Sequence, residues 1–173
     1  IIGVQREECG EFRTRPPGSF GGNMDVKHLV AGSTLHLPVF TPGAGLCAGD
    51  CHAAQGDGEV SINGMEAPMK VTLKVELIKG APLESPYLVT PGELVSPRYC
   101  EKPFHAFIES GEDPRELCKN VVRRAIRYLQ DRVGLTRQQA YVTCSVVLDL
   151  KVSQLVNVPT TTITGYLPEA IFD

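Results

Sequence analysis

At Asp113 the chain takes on a pattern that leaves little freedom in what it can become. In DPRELCKNVVRRAIRYLQDRVG, Asp113 stands as an N-cap and Pro114 in the first turn, where its missing N–H costs nothing. Glu116 follows three residues after the cap, at the capping-box position. Leu117, Val121, Ala125, Leu129 and Val133 then recur at four-residue intervals as one apolar stripe, and Gly134 supplies the stop. Such a helix must bury its stripe against something. Lys119, Arg123, Arg124, Arg127 and Arg132 read as its solvated face and not as a phosphate site. A second helical segment, TRQQAYVTCSVVLDL, restarts with Thr136 as cap and Gln139 three residues on. Its interior is apolar nearly all round, which predicts a buried helix.

What precedes residue 113 has a different grammar. Residues 1–112 are broken by TRPPGSFGGN, FTPGAG, LIKGAPLESP and LVTPGE, with short apolar runs between, the pattern of strands joined by turns. The clearest strand is MKVTLKVELIK, where Met69, Val71, Leu73, Val75 and Leu77 alternate with polar residues. STLHLPVF reads similarly, with Pro38 placing it at an edge or bulge. The tail VNVPTTTITGYLPEAIF returns to strand. The expected fold class is mainly β with helices (α+β). Residues 1–112 form the β portion that carries the candidate site, and 113–173 form the helical segment plus a final strand of the same domain.

Composition narrows the function. With 17 basic against 20 acidic residues, net charge -3 and no tryptophan, the chain lacks the basic footprint expected for nucleic acid or an anionic membrane surface. No apolar run approaches the ~18 residues that span a bilayer. The six cysteines show no framework spacing, so free thiols in a reducing cytoplasm are expected. The opening IIGV reads as a strand entered in mid-course, the mark of a fragment or processed piece.

The chemistry concentrates in GDCHAAQGDGE, residues 49–59, where Asp50, His52, Gln55, Asp57 and Glu59 occur without a lysine or arginine. Enclosed by protein, such a cluster repels itself unless protons or a cation neutralise it. Asp50 and His52 are two apart, as are Asp57 and Glu59, so on extended chain each pair shares a face. Gly56 and Gly58 permit a tight return between them. Carboxylates with an imidazole suit Zn²⁺ or a similar divalent ion, which would activate water and polarise a carbonyl. Glu59 is the favoured carboxylate to move the proton.

Competing readings remain. QGDG also serves an ordinary turn. The spacing is not that of an EF-hand, and an isolated calcium turn is the weaker metal alternative. Cys47 and Cys51 would lie about 13 Å apart on extended chain, beyond the roughly 7 Å that a disulfide bridges. Cys51 as a thiol nucleophile ranks second, since adjacent His52 would face the opposite way. Upstream, GGNMDVKH offers Asn23 to a substrate carbonyl and Asp25 to a metal shell. A glycine turn capped by aspartate is the plainer reading of that segment.

GGNMDVKHLVAGSTLHLPVF, GDCHAAQGDGEV and LTRQQAYVTCSVVLDLKVSQLVN together resemble, in order and spacing, the acetamidase/formamidase family of amide hydrolases. The resemblance implies hydrolysis of small linear amides such as formamide or acetamide to acid and ammonia, on a jelly-roll-like β-sandwich with two C-terminal helices packed against it. It also implies a bound divalent metal, Zn or Ca. Carried over, it makes Asp25, Asp50, His52 and Asp57 metal-shell candidates with His28 in reserve, Glu59 the general base, and Asn23 and Gln55 orienting partners. Asp149, Lys151 and Ser153 fall in its third segment, where the lysine could answer the acidic cluster. Members of the family are longer, with an N-terminal half of strands. A homodimer, or a chain carrying that half, is therefore the expected partner beside the amide substrate. A non-catalytic module with a structural metal loop is the alternative from outside enzymology.

Overall fold

The computed structural model describes residues 1–172. Its strands are β1 (Ile2–Gly3), β2 (Gly21–Gly22), β3 (Thr34–His36), β4 (Cys47–Ala48), β5 (His52–Ala54), β6 (Met65–Glu66), β7 (Tyr87–Thr90) and β8 (Phe104–Gly111). Helices α1 (Pro114–Val133) and α2 (Arg137–Val147) follow, then β9 (Asp149–Gln154) and β10 (Thr161–Pro168). A five-stranded antiparallel sheet in the order β3-β7-β8-β10-β9 forms the centre, beside small sheets β2-β1-β4 and β5-β6. The sheet-rich class with two attached helices matches the expectation.

The central pair, β8 and β10, runs in register from Thr161↔Gly111 to Pro168↔Phe104. Strand alternation splits its side chains between two faces. Phe107, Ile163 and Leu167 meet the helices. Leu88, Phe104, Ala106, Ile108 and Tyr166 meet Met24 and Val26, which cover the other side. With both faces covered, β10 is buried along its whole length. Its threonines pair their hydroxyls: Thr162 with Ser110 at 2.9 Å and Thr164 with Ser153 at 2.7 Å.

Helix α1 begins where its cap requires: Asp113 Oδ1 accepts from the backbone N–H of Arg115 at 2.8 Å and of Glu116 at 3.3 Å. Glu116 does not close the box, because its carboxylate is taken by Lys119 and Arg123. Gly134, at φ 76°, ends the helix in the left-handed region. Leu117, Val121, Ala125 and Leu129 are buried, and each large apolar side chain among them contributes about 1.5–3 kcal/mol. Val133, last of the stripe, is 39% exposed. The helix sits so close to β10 that a Cβ on Gly165 would lie 2.3 Å from Val121 Cγ1.

Four expectations need correcting. Arg124 is not solvated: at 8% exposure it donates to Glu109 Oε1 at 2.8 Å and to the carbonyls of Ser85, Pro86 and Ile108. The β7–β8 pairing ends at Tyr87↔Phe107, and this guanidinium reaches the carbonyls just beyond it. Helix α2 is not buried all round, because it packs one face only, through Ala140 and Cys144. Tyr141 stays 63% and Val146 77% exposed. It also stops at Val147, since Asp149–Gln154 gains a ladder with β10. Finally, residues 69–79 form no strand. Among the described residues nothing ladders to them, and Val71, Leu73, Val75 and Leu77 are exposed. Alternation marks a chain fit to be a strand, but its N–H and C=O groups need a neighbour. No helix among the described residues is long and apolar enough to cross a membrane.

Candidate active site

Strand β1 lies between β2 and β4 and is antiparallel to both, with Ile2 opposite Gly22 on one side and Ala48 on the other. The chain therefore leaves β2 and β4 at the same end. Asp25 follows three residues after the first exit and Asp50 two after the second. From the other direction, the turn at 56–59 is stitched to the end of β9: Gly58 N–H donates to Ser153 O, and Leu155 N–H to Gly58 O, both at 3.1 Å. This brings Glu59 beside Gln154.

At the meeting point, ligand atoms of Asp25, Asp50 and His52 lie within 4.8 Å of one another. Asp25 (φ 47°), Asp50 (φ 53°) and Glu59 (φ 48°) all adopt the left-handed conformation. At about 1–2 kcal/mol each, that is strain which the surrounding contacts must offset, and it falls on the acidic residues of the cluster.

His52 is held at Nδ1 and presents Nε2 to a carboxylate. Its Nδ1–H donates to Gln55 Oε1 at 2.8 Å, and Nε2 lies 3.5 Å from Asp50 Oδ1. Gln55 in turn donates to the backbone carbonyl of Asp25. Because Gln55 accepts at Nδ1, the neutral ring keeps its lone pair on Nε2, facing the carboxylates. Burial disfavours the charged imidazole, but the bond to Gln55 and the charges of Asp25, Asp50 and Glu59 outweigh it and raise the His52 pKa. Burial first, and the Glu59 charge second, push the Asp25 carboxyl up to about 6. A site that raises both acid and base affinity for protons is short of positive charge.

Glu59 is 5% exposed. Its Oε1 accepts from Gly64 N–H and its Oε2 from Gln154 Nε2, both at 3.2 Å. The same nitrogen donates to Asp25 Oδ2, while Gln154 Oε1 is buried with no partner among the described residues, a cost of about 1–3 kcal/mol. Nothing in the sequence around Gln154 marks it as part of the cluster. A glutamine ending a strand carries no local signal, and its importance arises from a contact 129 residues away in the chain.

Other candidates are placed elsewhere. Asp57, expected as a ligand, is neutralised by Lys27 Nζ at 2.8 Å. Gly58, at φ 87°, breaks the extended geometry that would have aligned Asp57 with Glu59. His28 is buried and bonded through Nδ1 to Tyr166 Oη at 2.8 Å, not to the cluster. Lys151 lies over the Tyr166 ring, Ser153 pairs with Thr164, and Asp149 is exposed at the start of β9. Asn23 donates to Arg15 O at 3.1 Å, and its Oδ1 is buried with no partner among the described residues. A cleft of about 540 Å³ adjoins the cluster, lined by Gly49, Asp50, Cys51, Glu66 and Met69 among others. Cys51 therefore reaches the cleft, but His52 spends Nδ1 on Gln55 and turns Nε2 to Asp50.

Residues 4–173 match the sequence family described as the Acetamidase/Formamidase family. The chain is 37% identical over 145 residues to the acetamidase of Mycolicibacterium smegmatis, a match covering 75% of this chain and 34% of that protein. It is 31% identical over 178 residues to the formamidase of Methylophilus methylotrophus, covering 93% and 42%. The crystal structure of a recombinant predicted acetamidase/formamidase from Thermoanaerobacter tengcongensis is similar with a TM-score of 0.86 at 33% identity, covering 99% of this chain and 52% of that one. This chain thus spans between a third and about half of the length of these relatives.

Proposed function

The chain belongs to the acetamidase/formamidase family, and on that premise we propose that it supplies catalytic groups to an amidase acting on small linear amides of the formamide or acetamide type, assisted by a divalent metal. The observation that carries this reading is the convergence of Asp25, Asp50 and His52. Two carboxylates and an imidazole are a donor set of the kind that Zn²⁺ takes, whereas Ca²⁺ prefers six to eight oxygens, so Zn²⁺ fits better. Asp25, Asp50 and His52 would hold it. When bound, such an ion would polarise the amide carbonyl and acidify water.

The chain's own groups then divide the proton work. Glu59 takes a proton from the attacking water as its oxygen adds to the amide carbon. It returns that proton to the nitrogen as the C–N bond breaks, giving acid and ammonia. Gln55 keeps the His52 ring in its tautomer. Asn23 orients the substrate, its unpartnered Oδ1 being available to an amide N–H. The exposed apolar faces of residues 69–79 and of α2 support a second copy or further polypeptide as partner. The free cysteines support a reducing, cytoplasmic setting.

A thiol mechanism through Cys51 is the second reading, because that residue lines the cleft. The test is ammonia release from formamide and acetamide by the protein carrying this chain, before and after EDTA and after Zn²⁺ is restored. Loss on chelation with recovery on readdition is expected, together with a loss of about 10²–10⁴-fold in Glu59→Gln and full activity in Cys51→Ala. Unchanged turnover in EDTA removes the metal from the mechanism. A dead Cys51→Ala revives the thiol. A metal that raises the melting temperature with no amide turned over identifies a structural loop.

A further inference from the structure

Gln154 closes β9 and is completely buried. Its side-chain nitrogen donates to two carboxylates at once, Asp25 Oδ2 and Glu59 Oε2. An amide can be turned end for end with almost no change of shape, so its neighbours decide which way it faces. Reversed, its oxygen would point at two carboxylates. In the observed direction both protons go to Asp25 and Glu59, and Oε1 is left buried with no donor among the described residues.

The backbone aims the residue as deliberately. The pairing of β9 with β10 passes from Ile163↔Val152 to Thr162↔Gln154, a one-residue bulge that changes which side the following residue faces. The bonds of Gly58 to Ser153 and Leu155 clasp it on either side.

We propose that Gln154 is a positioning residue that ties Glu59 to Asp25, so that the base and a metal-shell carboxylate keep a fixed separation and orientation. The proposal rests on the roles given to those two residues above. With Gly64 N–H on Oε1 and Gln154 on Oε2, each oxygen of Glu59 has one donor and cannot rotate freely, yet each keeps a lone pair for a proton. A loose carboxylate would present that lone pair in many directions.

The test compares wild type with Gln154→Met, which keeps the length of the side chain and removes both donors, in the protein carrying this chain. Zn²⁺ affinity is read by calorimetry, and kcat and KM on formamide are read separately. The expected result is Zn²⁺ affinity or kcat lower by about 10–100-fold with KM nearly unchanged, the usual effect of losing a residue that orients metal ligands. Gln154→Asn, which withdraws the amide by one carbon, carries the test if the methionine variant does not fold. An active wild type with wild-type kcat and Zn²⁺ affinity in the variant overturns the tether and leaves the amidase reading standing. A wild type inactive on amides whose Zn²⁺ affinity still falls in the variant overturns the amidase reading and supports the tether. A wild type that neither binds Zn²⁺ nor turns over an amide overturns both.

Discussion

Gln55 accepts the Nδ1–H of His52 at 2.8 Å, and that one bond settles which nitrogen of the ring faces the carboxylates. Gln55→Leu preserves the volume and removes the acceptor. Zn²⁺ affinity is expected to fall about 10–100-fold, read by competition with a chromophoric chelator. A variant that binds as tightly as wild type would show that His52 is oriented by something else.

Buried Arg124 and partly buried Glu109 form a pair at 2.8 Å, and the same guanidinium satisfies three backbone carbonyls. Breaking such a pair strands a charge, so Arg124→Met is expected to cost about 3–5 kcal/mol in urea unfolding. Adding Glu109→Gln should recover part of that loss. If the single variant costs less than about 1 kcal/mol, the pair is not holding the helix to the sheet.

Val121 of α1 touches Gly165 of β10 with no room for a methyl group between them. Gly165→Ala is expected to destabilise by about 1–3 kcal/mol through overpacking, measured by thermal unfolding. Val121→Ala in that background should restore some of the loss. Additive penalties would mean that the two sites do not press on each other.

Burial, with the charges of Lys151 and Lys27 in support, lowers the His28 pKa from 6.5 to about 4. Between those values the unfolded chain binds the extra proton and the folded one does not, so stability rises with pH across this window. Acidification from pH 6.5 toward 4 is expected to remove up to about 3 kcal/mol. His28→Gln, which keeps a partner for Tyr166, should flatten the slope of melting temperature against pH. Some slope will remain from His105, whose pKa burial also lowers. Parallel curves for the two proteins would acquit His28.

Helix α1 was legible almost residue by residue, because its cap, stripe and stop all lie within one short stretch and need no distant partner to be recognised. The same holds for Thr136 and Gln139, which form the capping box their spacing announced. Residues 69–79 had an equally regular pattern and formed nothing, since a strand is completed by another strand. Arg124 sat in a row of basic residues with no local mark to set it apart, and only the carbonyls beyond the end of the β7–β8 pairing gave it a use.

The candidate site divides along the same line. That Asp50, His52 and Glu59 lie close together could be read from residues 49–59, because short spacing and glycine turns constrain them together. That Asp25 joins them, that Asp57 turns away to Lys27, and that Gln154 arrives from the far end of the chain follow from strand pairing and a bulge. Local order is written in neighbouring residues, whereas convergence depends on hydrogen bonds between segments distant in the chain, from the pairing of Ile2 with Gly22 and Ala48 to the bond between Gln154 and Asp25.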